Sequence, residues 1–241
     1  MKISELFSQL SYGELSNLTL GDDGSGSIAE QHQPKLIHHT QQALTNLYSR
    51  FAHRKDYIVV KLDAEIQKYR IHPLYAVNNT TPNNTVARHI IDTVTTPFLT
   101  PIIKILSIRK ILEEGVLADV DLLINDDSRE GAVKTLAYDE IFVREPVQDQ
   151  LLLVEVQLNH PVIALPVNLD GEIFLAPVLE EALVLKVAAR VYGSMNGQEN
   201  MVKSQSLNAA YENVLQMVQF EDLLQTTSSE DHTRFVIGGW V

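Results

Sequence analysis

Residues 178–192 constrain the fold more than any other stretch. Val178, Leu179, Ala182, Leu183, Val184, Leu185, Val187, Ala188, Ala189, Val191 and Tyr192 follow Pro177 and line nearly every side of a helix. A helix that is apolar all round is buried on all sides, so other elements must cover it. The segment of about 199–219 supplies one cover. Val202, Leu207, Tyr211, Val214, Leu215 and Val218 fall on one of its faces, and Lys203, Asn208 and Glu212 on the other. Asn196-Gly197 between the two helices tolerates positive φ and stops the first. The pair reads as an αα-hairpin.

The remaining cover comes from the other end of the chain. Ile3, Leu6, Phe7 and Leu10 recur at helical spacing. Ser11-Tyr12-Gly13-Glu14 has the spacing of a capping box, which predicts a second short helix carrying Leu15 and Leu18. Gly21 to Ser27 is a turn-rich connector. Pro34 suits a first helical turn. The helix after it carries Leu36, Ala43, Leu47 and Phe51, with Gln41, Gln42 and Ser49 on its wet side.

At residue 56 the period changes. Tyr57 to Leu62 is rich in β-branched residues, Asp63-Ala64 turns the chain, and Glu65 to Ile71 returns as a second strand. Val77 to Thr85 is a loop, and Arg88 to Val94 is ambiguous and compatible with a short helix. Ile102 to Arg109 and Tyr138 to Arg144 read as strands. The clearest strand is Leu151 to Leu158, where Leu152, Val154, Val156 and Leu158 alternate with Glu155 and Gln157. The order is helices, strands, helices. The expected class is therefore α+β: a helical bundle of N- and C-terminal helices, a central β-rich insertion and an extended C-terminal tail. The boundaries are 1–55 for the first helices, 56–165 for the insertion, 166–225 for the helical hairpin and 226–241 for the tail.

That tail begins with a polar run, Thr226 to Asp231, and ends Phe235-Val236-Ile237-Gly238-Gly239-Trp240-Val241, which holds the only Trp of the chain. Chain ends are normally polar and frayed. The segment either folds back onto its own domain or docks on a partner. Aromatic anchors favour docking, with Phe235, Val236, Ile237, Trp240 and Val241 as the candidate partner-binding residues.

Composition excludes several functions. The net charge is -12, with 31 acidic residues against 19 scattered basic ones. A DNA grip needs clustered Lys and Arg to neutralise phosphates, so tight binding to DNA is not expected. No apolar run approaches the roughly 20 residues of a membrane span. The 241-residue chain has no cysteine, hence no thiolate nucleophile or ligand. It also lacks a Gly-x-Ser-x-Gly elbow, a phosphate loop and a His-Glu-x-x-His motif. The eight histidines are scattered and read as surface or interface residues. His38 and His39 point roughly 100° apart on one helix and cannot share a metal as an i, i+4 pair could.

Asp119, Asp121, Asn125, Asp126 and Asp127 fail the calcium-loop pattern and read as a solvated loop. Asp139 with Glu155-Val156-Gln157 resembles the carboxylate pair of some magnesium-dependent nucleases. Gln157 stands where those enzymes place Lys, and no basic track accompanies it. We expect no catalytic residue, no metal and no cofactor.

The run from Leu179 to Asn200, with Glu180-Glu181-Ala182-Leu183 at its head and Tyr192-Gly193-Ser194-Met195-Asn196-Gly197 near its close, resembles the C-terminal helical hairpin of bacteriophage head-to-tail connector proteins. Glu14 to Leu18 and Ala43 to Phe51 resemble the same group. The likeness spans most of the chain and is strongest in residues 14–51 and 178–212. It implies a structural adaptor similar to the tail tubular protein A of short-tailed phages, made in the host bacterial cytoplasm and located in the neck of the virion.

It further implies a ring of about twelve copies between portal and tail nozzle, with helices around a DNA channel, a β-rich part toward the nozzle and a C-terminal tail on the portal. The implied partners are the portal protein, the nozzle or tail tube, other copies of the chain and double-stranded DNA in passage, with no membrane. An acidic lumen would let DNA slide past. The alternatives are another tail-completion or virion-interaction protein and, from a different class, a metal nuclease using Asp139 and Glu155.

Overall fold

A computed structural model describes residues 1–18, 28–52, 54–79, 86–111, 117–122, 124–125 and 132–224. The connector at 21–27, Asp126, Asp127 and the tail from 226 on, with Phe235, Val236, Ile237, Trp240 and Val241, lie outside the described residues. The chain combines helices with antiparallel sheets, an α+β protein. It divides into two compact units. One takes the chain up to His53 and from Val162 onward, the other Arg54–Pro161.

The first unit holds four helices among the described residues: α1 Ile3–Tyr12, α2 Gln33–Arg50, α3 Glu180–Gly193 and α4 Gln198–Phe220. Ile3, Leu6, Phe7 and Leu10 are all buried on α1. The helix runs through Ser11 and stops where the Gly13 N–H donates to the Gln9 carbonyl and the Leu15 N–H to that of Leu10. No second helix starts at Ser11, because those closing bonds hold residues 13–17 as turns. Leu15 is nonetheless fully buried.

Pro34 does sit in the first turn of α2. Eight of the fourteen residues of α3 are buried, which is the all-round burial its composition demands. α3 packs against α1, α2 and α4. It ends at Gly193, before Asn196-Gly197. Gly197, at φ 115°, instead serves as the N-cap of α4. A Cβ on Gly193 would lie 3.0 Å from Ser204 Oγ, so glycine there lets the two helices approach closely.

Among the described residues the second unit holds two sheets. One has five strands in the order β3-β1-β8-β4-β5, and the other three in the order β2-β7-β6. Their bounds are β1 Lys55–Lys61, β2 Lys68–Arg70, β3 Ile90–Ile91, β4 Ile102–Ile111, β5 Leu117–Asp121, β6 Lys134–Ala137, β7 Glu140–Phe142 and β8 Leu151–Leu158. The alternating strand β8 is central and pairs antiparallel with β1 (Lys55↔Gln157 to Lys61↔Leu151) and with β4. Leu152, Val154, Val156 and Leu158 join Ile58, Val60, Ile90, Ile105, Ile108, Tyr69 and Ile141 in one core.

Three local expectations fail here. Residues 68–70 form no hairpin with β1 and pair instead with β7 in the other sheet. The stretch 88–94 holds strand β3 and no helix. The strand expected from Tyr138 begins at Glu140, because Tyr138 and Asp139 form the turn between β6 and β7. In the first two cases the deciding partner is distant in sequence, so local propensity is overridden.

Candidate functional site

In the helical unit a polar seam runs between α2, α3 and α4. Its centre is Tyr211, fully buried on α4. The Tyr211 hydroxyl donates to Asn46 Oδ1 at 2.6 Å. Lys186 Nζ lies 4.5 Å from the ring centroid and the Arg50 guanidinium 5.8 Å, so two cations face one ring. Burial pushes the Tyr211 phenol up to about 12. Lys186 also donates to Asn208 Oδ1 at 2.9 Å. Burial, reinforced by Arg190, lowers its ammonium below the ordinary lysine range.

Arg50 forks onto Glu212 at 2.5 and 2.9 Å. That hydrogen bond holds the carboxyl below the ordinary glutamate range. Asn208 is therefore half-buried against α3, contrary to the expectation of a wet face, whereas Lys203 is exposed and the Glu212 side chain stays more than a third exposed. The partners of Asn208 and Glu212 sit on other helices, which the periodicity of one helix cannot reveal. Gln41 and Gln42 depart from expectation in the same way. Both are half-buried. Gln41 accepts from the Ile163 N–H at 3.1 Å and Gln42 from Arg190 at 2.6 Å.

His39 lies beside this seam. Both of its ring nitrogens and Arg190 Nε are buried without a hydrogen-bond partner. Burial, then Lys35, His38 and Arg190, lower its imidazole below the ordinary value. The expectation of surface or interface histidines also fails at His89 and His160, which are 7% and 4% exposed. His89 packs edge-on against Tyr69 and bonds through Nε2 to the Arg70 carbonyl at 2.8 Å.

The outer side of α4 is different. Val202, Ser206, Ala209, Asn213, Gln216 and Phe220 recur at alternating spacings of four and three, and all six are exposed. At 3.6 residues per turn they form one meridian. It carries no charge, in a chain whose net charge is -12. Phe220 is 92% exposed and Val202 58%, and Met217 flanks the row at 50%. Val202 is thus outside, where the sequence pattern had placed it inside. The row is visible in the sequence as a four-three repeat of uncharged residues.

No protein-family model matches the chain, and no curated protein matches it.

The carboxylates considered for magnesium are apart in the topology. Asp139 lies in the β6–β7 turn of the three-stranded sheet, and Glu155 on β8 of the five-stranded one. Glu155 accepts from Ser107 Oγ at 3.0 Å and pairs with Lys55 at 3.5 Å. Among the described residues no group of three or more His, Cys, Asp or Glu side chains has the arrangement of a metal site. In the acidic stretch, Asn125 is committed to Thr135. Its Oδ1 accepts the Thr135 N–H at 2.9 Å and its Nδ2 donates to the hydroxyl at 2.8 Å.

Proposed function

We propose that the chain is a structural head-to-tail adaptor of a bacteriophage virion, one copy of a ring between portal and tail nozzle through which DNA passes. The observation that carries this reading is the uncharged, exposed meridian of α4. A helix face on a strongly acidic protein keeps its charges unless another surface covers it, and interface centres are depleted of charge. Val202 and Phe220 mark the ends of the covered strip, and neighbouring copies supply the cover. The helices α1 to α4 form the bundle of each subunit, with the hairpin α3–α4 at its lateral contact. The sheet unit serves the tail, and Phe235, Val236, Ile237, Trp240 and Val241 dock on the portal. The net charge of -12 supports a lumen that does not hold DNA.

The test is assembly on the portal protein of the same particle, followed by native mass spectrometry. The native chain assembles as a ring on the portal. Ala209→Glu, at the middle of the meridian and on the solvent side, abolishes the ring and leaves the thermal midpoint of the free chain unchanged. Equal assembly by Ala209→Glu removes the meridian as the contact. Failure of the native chain to bind the portal removes the adaptor reading.

A further inference from the structure

We propose that Asn196, in the turn between α3 and α4, is a site of spontaneous covalent modification, where the side-chain amide leaves as ammonia and the residue becomes aspartate or isoaspartate. Asn196-Gly197 is the only Asn-Gly pair of the chain. Both residues are exposed. Among the described residues nothing accepts the Gly197 N–H and nothing holds the Asn196 side-chain amide. The carbonyls beside them are anchored. That of Asn196 accepts from Asn200 Nδ2 at 2.8 Å, and that of Gly197 from the Met201 N–H at 3.2 Å. A Cβ at Gly197 would meet only Asn200 Nδ2, at 3.6 Å, so the space around the turn is open. Glycine also has no side chain of its own to block a close approach to its nitrogen.

The chemistry needs only water. The Gly197 nitrogen gives up its proton to solvent base and attacks Asn196 Cγ. The bond from Cγ to the side-chain nitrogen breaks, and that nitrogen takes up a proton and leaves as ammonia. A five-membered succinimide remains. Water then adds to one of its two carbonyls and opens the ring. One opening gives aspartate; the other gives isoaspartate, in which the main chain runs through the side-chain carbons and is longer by a methylene. The sum is amide plus water to acid plus ammonia, with no change of oxidation state. Either product places a carboxylate before the first turn of α4, where unpaired N–H groups and the helix dipole favour a negative charge.

Asp170-Gly171 offers the same ring and shows what a guarded pair looks like. The Gly171 N–H donates to the Asn168 carbonyl at 2.9 Å, and the Gly171 carbonyl accepts the Ile3 N–H at 3.0 Å. The Asp170 carboxylate pairs with Lys2 at 3.3 Å. Here the attacking nitrogen is engaged and its target is held, so the fold must open before the ring can close. At Asn196 no opening is needed.

The experiment incubates the full chain, folded and in urea, in mildly acidic and mildly alkaline buffer, and maps tryptic peptides by mass spectrometry with electron-transfer fragmentation. Cleavage after Arg190 and Lys203 isolates both Asn196 and Asn200 in one peptide. Asn196 gains the mass of an amide turned acid and yields both isomers. It reacts in the folded chain within about tenfold of its rate in urea, since no local opening precedes attack. The rate rises with alkalinity, and Asn196→Gln loses the reaction. Folding slows isoaspartate formation at Asp170 by far more. Three results overturn the proposal: conversion of Asn196 only in urea, equal rates at Asn196 and Asn200 in the folded chain, or equal slowing of Asn196 and Asp170 by folding.

Discussion

The polar seam of the helical unit and the Tyr69–His89 pair of the sheet unit find their partners in different ways. In the helical unit, side chains bond to side chains across helices: Arg50 to Glu212, Lys186 to Asn208, Tyr211 to Asn46 and Arg190 to Gln42. In the sheet unit, the buried Tyr69 and His89 turn to the main chain. Tyr69 donates to the Asp63 carbonyl and His89 bonds to that of Arg70. A main-chain partner is present whatever the neighbouring side chain is. A side-chain partner disappears with one substitution and leaves the other group unsatisfied. The seam around Tyr211 is therefore more sensitive to a single polar change than the main-chain partners of Tyr69 and His89 are.

The apolar cores respond alike, and cavities in them give the largest effects. Leu183→Ala on α3 and Leu152→Ala on β8, both at 0–1% exposure, each cost about 2–5 kcal/mol in urea unfolding. A clear inequality would show that the two apolar cores differ as well as the polar partners of Tyr211 and His89.

Asn46→Ala comes next. It leaves the buried Tyr211 hydroxyl without its acceptor and costs about 1–3 kcal/mol. Arg70→Ala leaves the carbonyl that His89 uses in place, so amide exchange at the His89 end of the sheet unit stays unchanged.

Acidification is a milder probe. The unfolded His39 imidazole takes its proton at the ordinary 6.5, and the folded one only at lower pH. Its contribution is complete above 6.5 and declines as pH falls through the interval down to the lowered folded value. Lys35 and His38 on α2 and Arg190 on α3 oppose that proton. His39→Leu flattens this acid limb in amide exchange along α2. His89, also lowered by burial, keeps an acid limb in the sheet unit.

The smallest effect belongs to Glu212→Gln. Both partners of this pair are more than a third exposed, so the loss is at most about 1 kcal/mol and shrinks with salt.

Elements whose pattern is internal were legible in the sequence. The Ile3, Leu6, Phe7 and Leu10 row of α1, the apolar circumference of α3 and the alternation in β8 each encode their own burial. Elements defined by a distant partner were not. Residues 68–70 are β-like but find β7 instead of β1, and Ile90–Ile91 is too short to carry a period. α4 misled for a related reason. Asn208 looks solvated until Lys186 is brought to it, and Val202 looks buried until the uncharged row reaching Phe220 is traced.

The central claim is that copies of this chain cover the α4 meridian of one another in a ring at the portal vertex. Electron cryo-microscopy of the chain assembled with its portal tests this directly. The account predicts a closed ring with Val202, Ala209, Asn213 and Phe220 buried at the contact between neighbouring copies. A chain that stays monomeric beside the portal, or a ring that leaves those four residues in solvent, contradicts it.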